Sequence, residues 1–320
     1  MSKVIGVDIG YGRTKMFDGE RRDNFASAVS SQVAAEATFE SHLQPFLVHD
    51  RAYIAGEDAE IHARTVEDTR NESFLCSGGW FALLAHALRT AGYDPDRDGA
   101  VIAIGLPPGM CGPDRYRQVL RTVKETSVLD RSSGGAYRFA RTRVIIIPQG
   151  VGIYYYYHMT SPEAADQKVA IADIGHQTLD FVFVSQGRYV EHARETRPAG
   201  VGREYDHLMQ LAQAMPGRGP LTRAEIVSGI ADGTLFDENH GNYVKGAEEH
   251  LVGYARNIFS IIESYVASLP AKPDVIIAGG GGARLLFAMR SKPGYRLSIA
   301  AEAELANAMG YWHYATMLAG

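Results

Sequence analysis

The sequence predicts an α/β protein made of two related domains, on three observations. Short β-branched and apolar runs, the size of buried strands, alternate with segments of helical spacing along the chain. Asp-Ile-Gly occurs twice, at Asp8-Ile9-Gly10 and Asp173-Ile174-Gly175, 165 residues apart, each time at the end of the first strand of a hairpin. Recurrence at the same structural place points to duplication. The length of 320 residues is also about twice the ~150 typical of one domain.

Lys3 to Val7 is a β-branched run that ends in Asp8-Ile9-Gly10-Tyr11-Gly12 and continues through Thr14 and Lys15, which reads as strand, glycine-rich turn and second strand. Phe46–Val48 and Tyr53–Ala55 pair around a turn at Asp50-Arg51. Trp80–Leu88 has helical spacing and stops before Gly92, Val101–Gly105 is a buried strand, and Pro113–Val123 is a helix with proline in its first turn. Val144–Ile147 is a strand stopped at Pro148, from which the chain turns into a helix at Ile153–His158. Then the order restarts. Strands at Val169–Ala172, Leu179–Val184 and Arg188–His192 precede helices at Tyr205–Ala214, Leu221–Ile230 and Gly246–Leu269. Asp274–Ala278 is a strand entering Gly279–Gly282, and the last helix is Glu302–Leu318.

Composition narrows the function. Lys and Arg total 32 against 37 Asp and Glu, a net charge of −5 that disfavours direct electrostatic grip on nucleic acid. Cys76 and Cys111 are too few for a disulfide framework or a zinc site. Asp8 interrupts the N-terminal apolar run, and no stretch reaches the ~18 apolar residues of a membrane span. A protein of the cytoplasm, without membrane contact, is expected.

Phosphates need backbone N–H donors on a loop free of bulky β-carbons, and a cation nearby. Gly10 and Gly12 with Lys15 supply both. Asp8 and Asp173, one per domain, are hard oxygen ligands suited to Mg²⁺, usually through its waters; facing each other across a cleft they would hold that ion on a nucleoside triphosphate. Either loop alone reads as a hairpin turn with glycine at positive φ; the pair favours phosphate. Four glycines after a buried strand, Gly279 to Gly282, would let the backbone lie against a ligand and free a helix N-terminus to point at it. Neither Gly-x-x-x-x-Gly-Lys-Ser/Thr nor a helix-opening Gly-x-Gly-x-x-Gly follows the first strand. Gln149, in Pro148-Gln149-Gly150-Val151-Gly152, has one donor and one acceptor with which to orient a water, and by itself also reads as an exposed turn residue. The eleven histidines, His176 included, have no metal-ligand spacing, and Asp180 either supports the site from behind or sits on the solvent face of its strand, the second reading being preferred.

Five segments in this order resemble the nucleotide motifs of the actin-like ATPases, and within them the plasmid-segregation ParM/StbA group with its archaeal and phage relatives. They are Val4–Lys15, Pro148–Gly152, Ile171–Asp180, Gly280–Ala283 and Ala306–Gly310. Tyr53-Ile54-Ala55-Gly56-Glu57 and Gly105-Leu106-Pro107 favour the ParM-type branch. The resemblance implies an actin-like fold of two ribonuclease-H-like domains around a nucleotide cleft. Residues 1–160 with about 302–320 would form the first domain, and 161–301 the second. It implies ATP (or GTP) with Mg²⁺ as cofactors, the ion held by Asp8 and Asp173, and catalysis by Gln149 and Asp173. Nucleotide contacts would come from Gly10, Tyr11, Gly12, Arg13, Thr14 and Lys15 in the first loop, and from Gly175, His176, Gln177 and Thr178 in the second. Gly200 and an adenosine motif of Gly280, Gly281, Gly282 and Ala283 would complete them. Two departures bear on hydrolysis: Gln149 stands where many ParM proteins carry Glu, and His176 where Gly is common.

The function so implied is an ATPase that polymerises with ATP and disassembles on hydrolysis. Its filaments would segregate or position DNA through a DNA-binding adaptor, without direct nucleic-acid contact. A small-molecule kinase of the same superfamily is the alternative. Many hexose kinases place their carboxylate base in an Asn-Asp pair before the second phosphate loop, and no Asn-Asp occurs here. A nucleotide-gated assembly module is a third possibility, disfavoured by the ParM-type segments.

Overall fold

The computed structural model describes residues 3–32, 43–93, 99–217, 219–288 and 297–319. The chain divides into two compact units, residues 1–162 with 305–320, and residues 163–304.

The first unit opens with an antiparallel meander of β1 (Lys3–Ile9), β2 (Arg13–Phe17) and β3 (Arg22–Ala26). Next come β4 (Val29–Ser30), the hairpin β5 (Phe46–Val48) and β6 (Arg51–Ala55), and α1 (Glu57–His62). That hairpin turns at His49 and Asp50, with φ of 47° and 64°, one residue earlier than the sequence suggested. Consecutive positive φ values match the strand twist, so register wins over the local cost. The unit continues with α2 (Gly78–Thr90), β7 (Ala100–Leu106), α3 (Pro113–Glu125), β8 (Ser127–Asp130), β9 (Ala136–Arg138), β10 (Arg143–Pro148) and α4 (Val151–Thr160). Its main sheet has the order β10-β7-β1-β2-β3, and a second sheet runs β4-β6-β5-β8-β9.

The second unit repeats the plan with β11 (Lys168–Ile174), β12 (Leu179–Ser185), β13 (Arg188–Tyr189) and β14 (Glu195–Arg197). Helices α5 (Gly202–Gln213), α6 (Arg223–Asp232) and α7 (Ala247–Ser268) follow, then β15 (Val275–Gly279) and β16 (Leu297–Ile299). The strand order β13-β12-β11-β15-β16, with β14 also on β12, matches the first unit's main sheet position for position. In both, an antiparallel meander is extended by two parallel strands on the far side of its first strand. Asp8 and Asp173 are each the sixth residue of that first strand, so the duplication is one of topology as well as motif.

Two further expectations change. The strand expected over Arg188–His192 ends at Tyr189, because Glu191–Ala193 forms a 3-10 turn. The last helix, α8 (Ala306–Ala319), starts four residues later than Glu302. There the carbonyl of Ala303 accepts the amide of Gly280 (2.8 Å) and so is diverted from a helical ladder.

Burial explains these elements. All seven residues of β7 and all five of β15 are buried, the pattern of strands covered on both faces. Helix α2 is apolar almost all round, with Trp80, Phe81, Leu83, Leu84 and Leu88 in the core of the first unit. Each such side chain contributes about 1.5–3 kcal/mol by burial. In α7, Leu251, Tyr254, Ala255, Ile258, Phe259, Ile262 and Tyr265 recur at helical spacing and form its buried stripe. Helix α8 completes the first unit by lying on β1 and β7 and crossing α4. The crossing is a backbone contact: a β-carbon on Gly310 would collide with the carbonyl of Gly152, and one on Gly152 with Tyr311 and Asn307.

Candidate functional site

In the first unit the site is built on the turn end of the β1–β2 hairpin. Gly10 to Gly12 form the turn, closed by the amide of Gly10 on the carbonyl of Arg13 (3.2 Å). Asp8, 4% exposed, faces Lys15 across the ladder. The Lys15 Nζ stands 3.4 Å from Asp8 Oδ2, and a β-carbon on Gly10 would lie 3.1 Å from that amine, so the cation sits over the loop. Gln149 Nε2 donates to the other Asp8 oxygen, Oδ1, at 3.1 Å. Local backbone chemistry brings it there. The Gln149 amide extends the β10–β7 pairing onto Leu106 O (2.7 Å), and Gly150 turns the chain into α4 at φ 81°. The Gly150 amide is received by Oδ1 of Asn307, a buried polar residue in the first turn of α8 (3.0 Å). Pro148–Gly152 and Ala306–Gly310, separate in sequence, therefore meet.

Other first-loop residues are engaged away from the turn. Thr14 is fully buried, its hydroxyl 2.8 Å from that of Ser27, which donates to the carbonyl of Gly10 (2.6 Å). Thr14 thus braces the loop from beneath. Arg13 folds onto Asn24, with Nε 2.6 Å from Oδ1, and reaches Glu57 at 3.5 Å. The carbonyl of Tyr11 accepts from Thr69 (2.7 Å). Nothing local in the sequence marks Ser27 or Thr69, whereas Asn307 belongs to the Ala306–Gly310 motif and stands out there as a lone amide in an apolar helix.

In the second unit, Asp173 is 7% exposed at the end of β11, and the Gly175–Thr178 loop closes with the Gly175 amide on Thr178 O (2.8 Å). Three consecutive amides brace it: Gly200 donates to Gln177 O (3.1 Å), Val201 to Gly175 O (3.0 Å) and Gly202 to His176 O (2.7 Å). Gly200 therefore supports the loop through its backbone, in a space that no side chain fits. Asp180 stands opposite Asp173 in the ladder where the first unit has Lys15 opposite Asp8. It is 5% exposed, which corrects the solvent-facing expectation. Burial raises its pKa, partly offset by hydroxyl donors from Thr196 (2.5 Å) and Thr178 (2.7 Å).

Gly280 has φ 83° and lies against Asp173, so a β-carbon there would collide with Oδ1 of the carboxylate. The expectation that the glycine run frees a helix N-terminus is not met. Ala283–Ala288 is a 3-10 helix, and the amides of Gly280, Gly282 and Ala283 are bonded to Ala303, Ile174 and Gly280. Gly281 is exposed while its neighbours are buried. Among the described residues no three His, Cys, Asp or Glu side chains gather as a metal cage.

Residues 6–152 match the family model for the N-terminal domain of actin-like proteins. Three solved structures share the architecture over almost the whole chain. An archaeal actin homologue, Ta0583, in complex with ADP is 21% identical, with a TM-score of 0.73 over 98% of this chain and 99% of that one. A ParM of a 15-stranded filament from Clostridium botulinum is 18% identical, with a TM-score of 0.71 over 99% and 100%. Bacillus thuringiensis ParM with AMPPNP is 16% identical, with a TM-score of 0.65 over 100% and 99%. The chain has the actin-like fold. That fold is the one implied by the resemblance read from the five motifs. Among curated proteins none matches the sequence. In this actin-like chain no helix of the described residues is long and apolar enough to cross a membrane.

Proposed function

We propose that this actin-like protein binds ATP or GTP with Mg²⁺ through both loops, hydrolyses it and polymerises in the cytoplasm. Hydrolysis then favours disassembly, and a DNA-binding adaptor links the filament to DNA that it segregates. The observation that carries the reading is Asp8 and Lys15 on one hairpin with Gln149 donating to Asp8 from the β10–α4 junction, and an equivalent aspartate, Asp173, on the duplicate hairpin. Two buried carboxylates are hard donors that fit a hydrated Mg²⁺ bound to a triphosphate, and Lys15 supplies positive charge at the first loop. With Nε2 on Asp8, the Oε1 of Gln149 is the acceptor that would orient an attacking water. The ligands of two of the similar structures, ADP and AMPPNP, and the ParM filament support the same reading.

The test is sedimentation with negative-stain microscopy. ATP with Mg²⁺ is expected to give sedimenting filaments, and ADP or chelator to abolish them. Phosphoryl transfer that requires an added hydroxyl acceptor, with no sedimenting material at any protein concentration, would replace this reading with the kinase.

A further inference from the structure

His176 is the bulky residue of the second loop, and its surroundings give it a specific holder. The ring lies on Gly202, the first residue of α5, where a β-carbon would come within 2.5 Å of His176 Cε1. Arg223, the first residue of α6, places Nη1 3.1 Å from His176 Nε2 and gives Nη2 to Asp206 Oδ1 of α5 (2.6 Å). The guanidinium starts from a rigid point, because Thr222 and Glu225 close a capping box at the head of α6. Arginine has donors only, so His176 Nε2 must accept and the ring proton resides on Nδ1.

We propose that Arg223 is a positioning residue for nucleotide binding that acts through His176. Anchored by Asp206, it holds the imidazole neutral, in the Nδ1–H tautomer and in one orientation, so that the second loop has one shape for a phosphate. A free histidine in that loop would sample several rotamers and both tautomers, each of which the nucleotide would have to select against. The claim rests on the nucleotide-binding reading of the loop and adds a residue that lies 45 positions beyond its last member, Thr178.

The experiment has two arms on the full chain. In the first, ¹⁵N NMR of the nucleotide-free protein reads the His176 tautomer, assigned by its loss in His176→Gly. The Nδ1–H form is expected in wild type and a tautomer mixture in Arg223→Met. In the second, ADP is titrated into wild type, Arg223→Met, His176→Gly and the double variant, with melting temperature measured for each. Arg223→Met should weaken ADP by about 5-fold when His176 is present and by less than about 2-fold when it is Gly. Arg223→Lys, which retains a donor and the charge, should recover part of the loss. Should Arg223→Met fail to fold, Asp206→Asn replaces it in the cycle, with the same coupling expected. Equal weakening in both backgrounds, or a proton on Nε2 in wild type, overturns the proposal while leaving nucleotide binding intact. Failure of wild type to bind ADP overturns the functional reading itself, and this proposal with it.

Discussion

Gln149 is the residue whose meaning changes most between sequence and structure. By itself it reads as a turn residue after a proline, and only the Pro148–Gly152 resemblance gave it a role; in the structure its side-chain N–H donates to the buried Asp8 carboxylate. Replacing it with Ala removes the oxygen proposed to orient the attacking water and leaves Lys15 on Asp8. Phosphate release by Gln149→Ala is expected to slow by about 10- to 1,000-fold with nucleotide affinity nearly unchanged, and light scattering in the same sample should show slower disassembly. Wild-type phosphate release would return the residue to the rank of a turn. Asp8 should behave differently. Asp8→Ala strands the partly buried Lys15 ammonium and removes the proposed Mg²⁺ anchor, so both thermal stability and Mg²⁺-dependent turnover should fall. Titrating Mg²⁺ against turnover distinguishes the two effects, because only the anchor's loss shifts the metal requirement.

Two contacts between elements carry their own tests. Helices α4 and α8 touch backbone to backbone at Gly152 and Gly310, and neither backbone has room to yield. Gly310→Ala is therefore expected to cost about 3 kcal/mol or more in urea unfolding, the upper end of overpacking penalties. On the other side of the first unit, His86 of α2 packs against Phe25 and Phe46 and beside Arg89. Burial, with the Arg89 charge as the second cause, pushes its pKa down to about 4, against the pull of Glu57, Asp23 and Asp58. The unfolded chain then takes up the proton first, near pH 6.5. Stability is complete above that pH and declines as pH falls toward 4, by up to about 3 kcal/mol from this group. His86→Leu should flatten that part of the melting-temperature profile; an unchanged slope would assign the acid loss to other groups.

For the whole molecule, a filament-forming enzyme and a kinase differ in how activity depends on protein concentration. If assembly completes the active state, turnover per molecule should rise steeply above a critical concentration, and sedimentation should begin at the same point. A kinase should hold constant specific activity and require its acceptor. Measuring phosphate release across a 100-fold dilution series, with pelleting at each point, decides between them.

Much of this protein was legible in the order of its residues. Strong local signals suffice for the buried strands Val101–Gly105 and Val144–Ile147, the helix around Trp80–Leu88, and the two Asp-Ile-Gly hairpins, since periodicity and glycine placement act over a few residues. The five-motif resemblance likewise led to the actin-like fold. What depends on partners distant in the chain was not legible. Asp180 is buried because β14 covers its strand with Thr196, although the residue alone reads as polar and exposed. The glycine run at 279–282 leads into a 3-10 helix without freeing its N-terminus, since Ala303 and Ile174 take the amides of Gly280 and Gly282. Gln149 meets Asp8 across 141 residues, and Arg223 meets His176 across 47. Such contacts form only when sheet register and helix packing bring the side chains together, and no local pattern encodes a register.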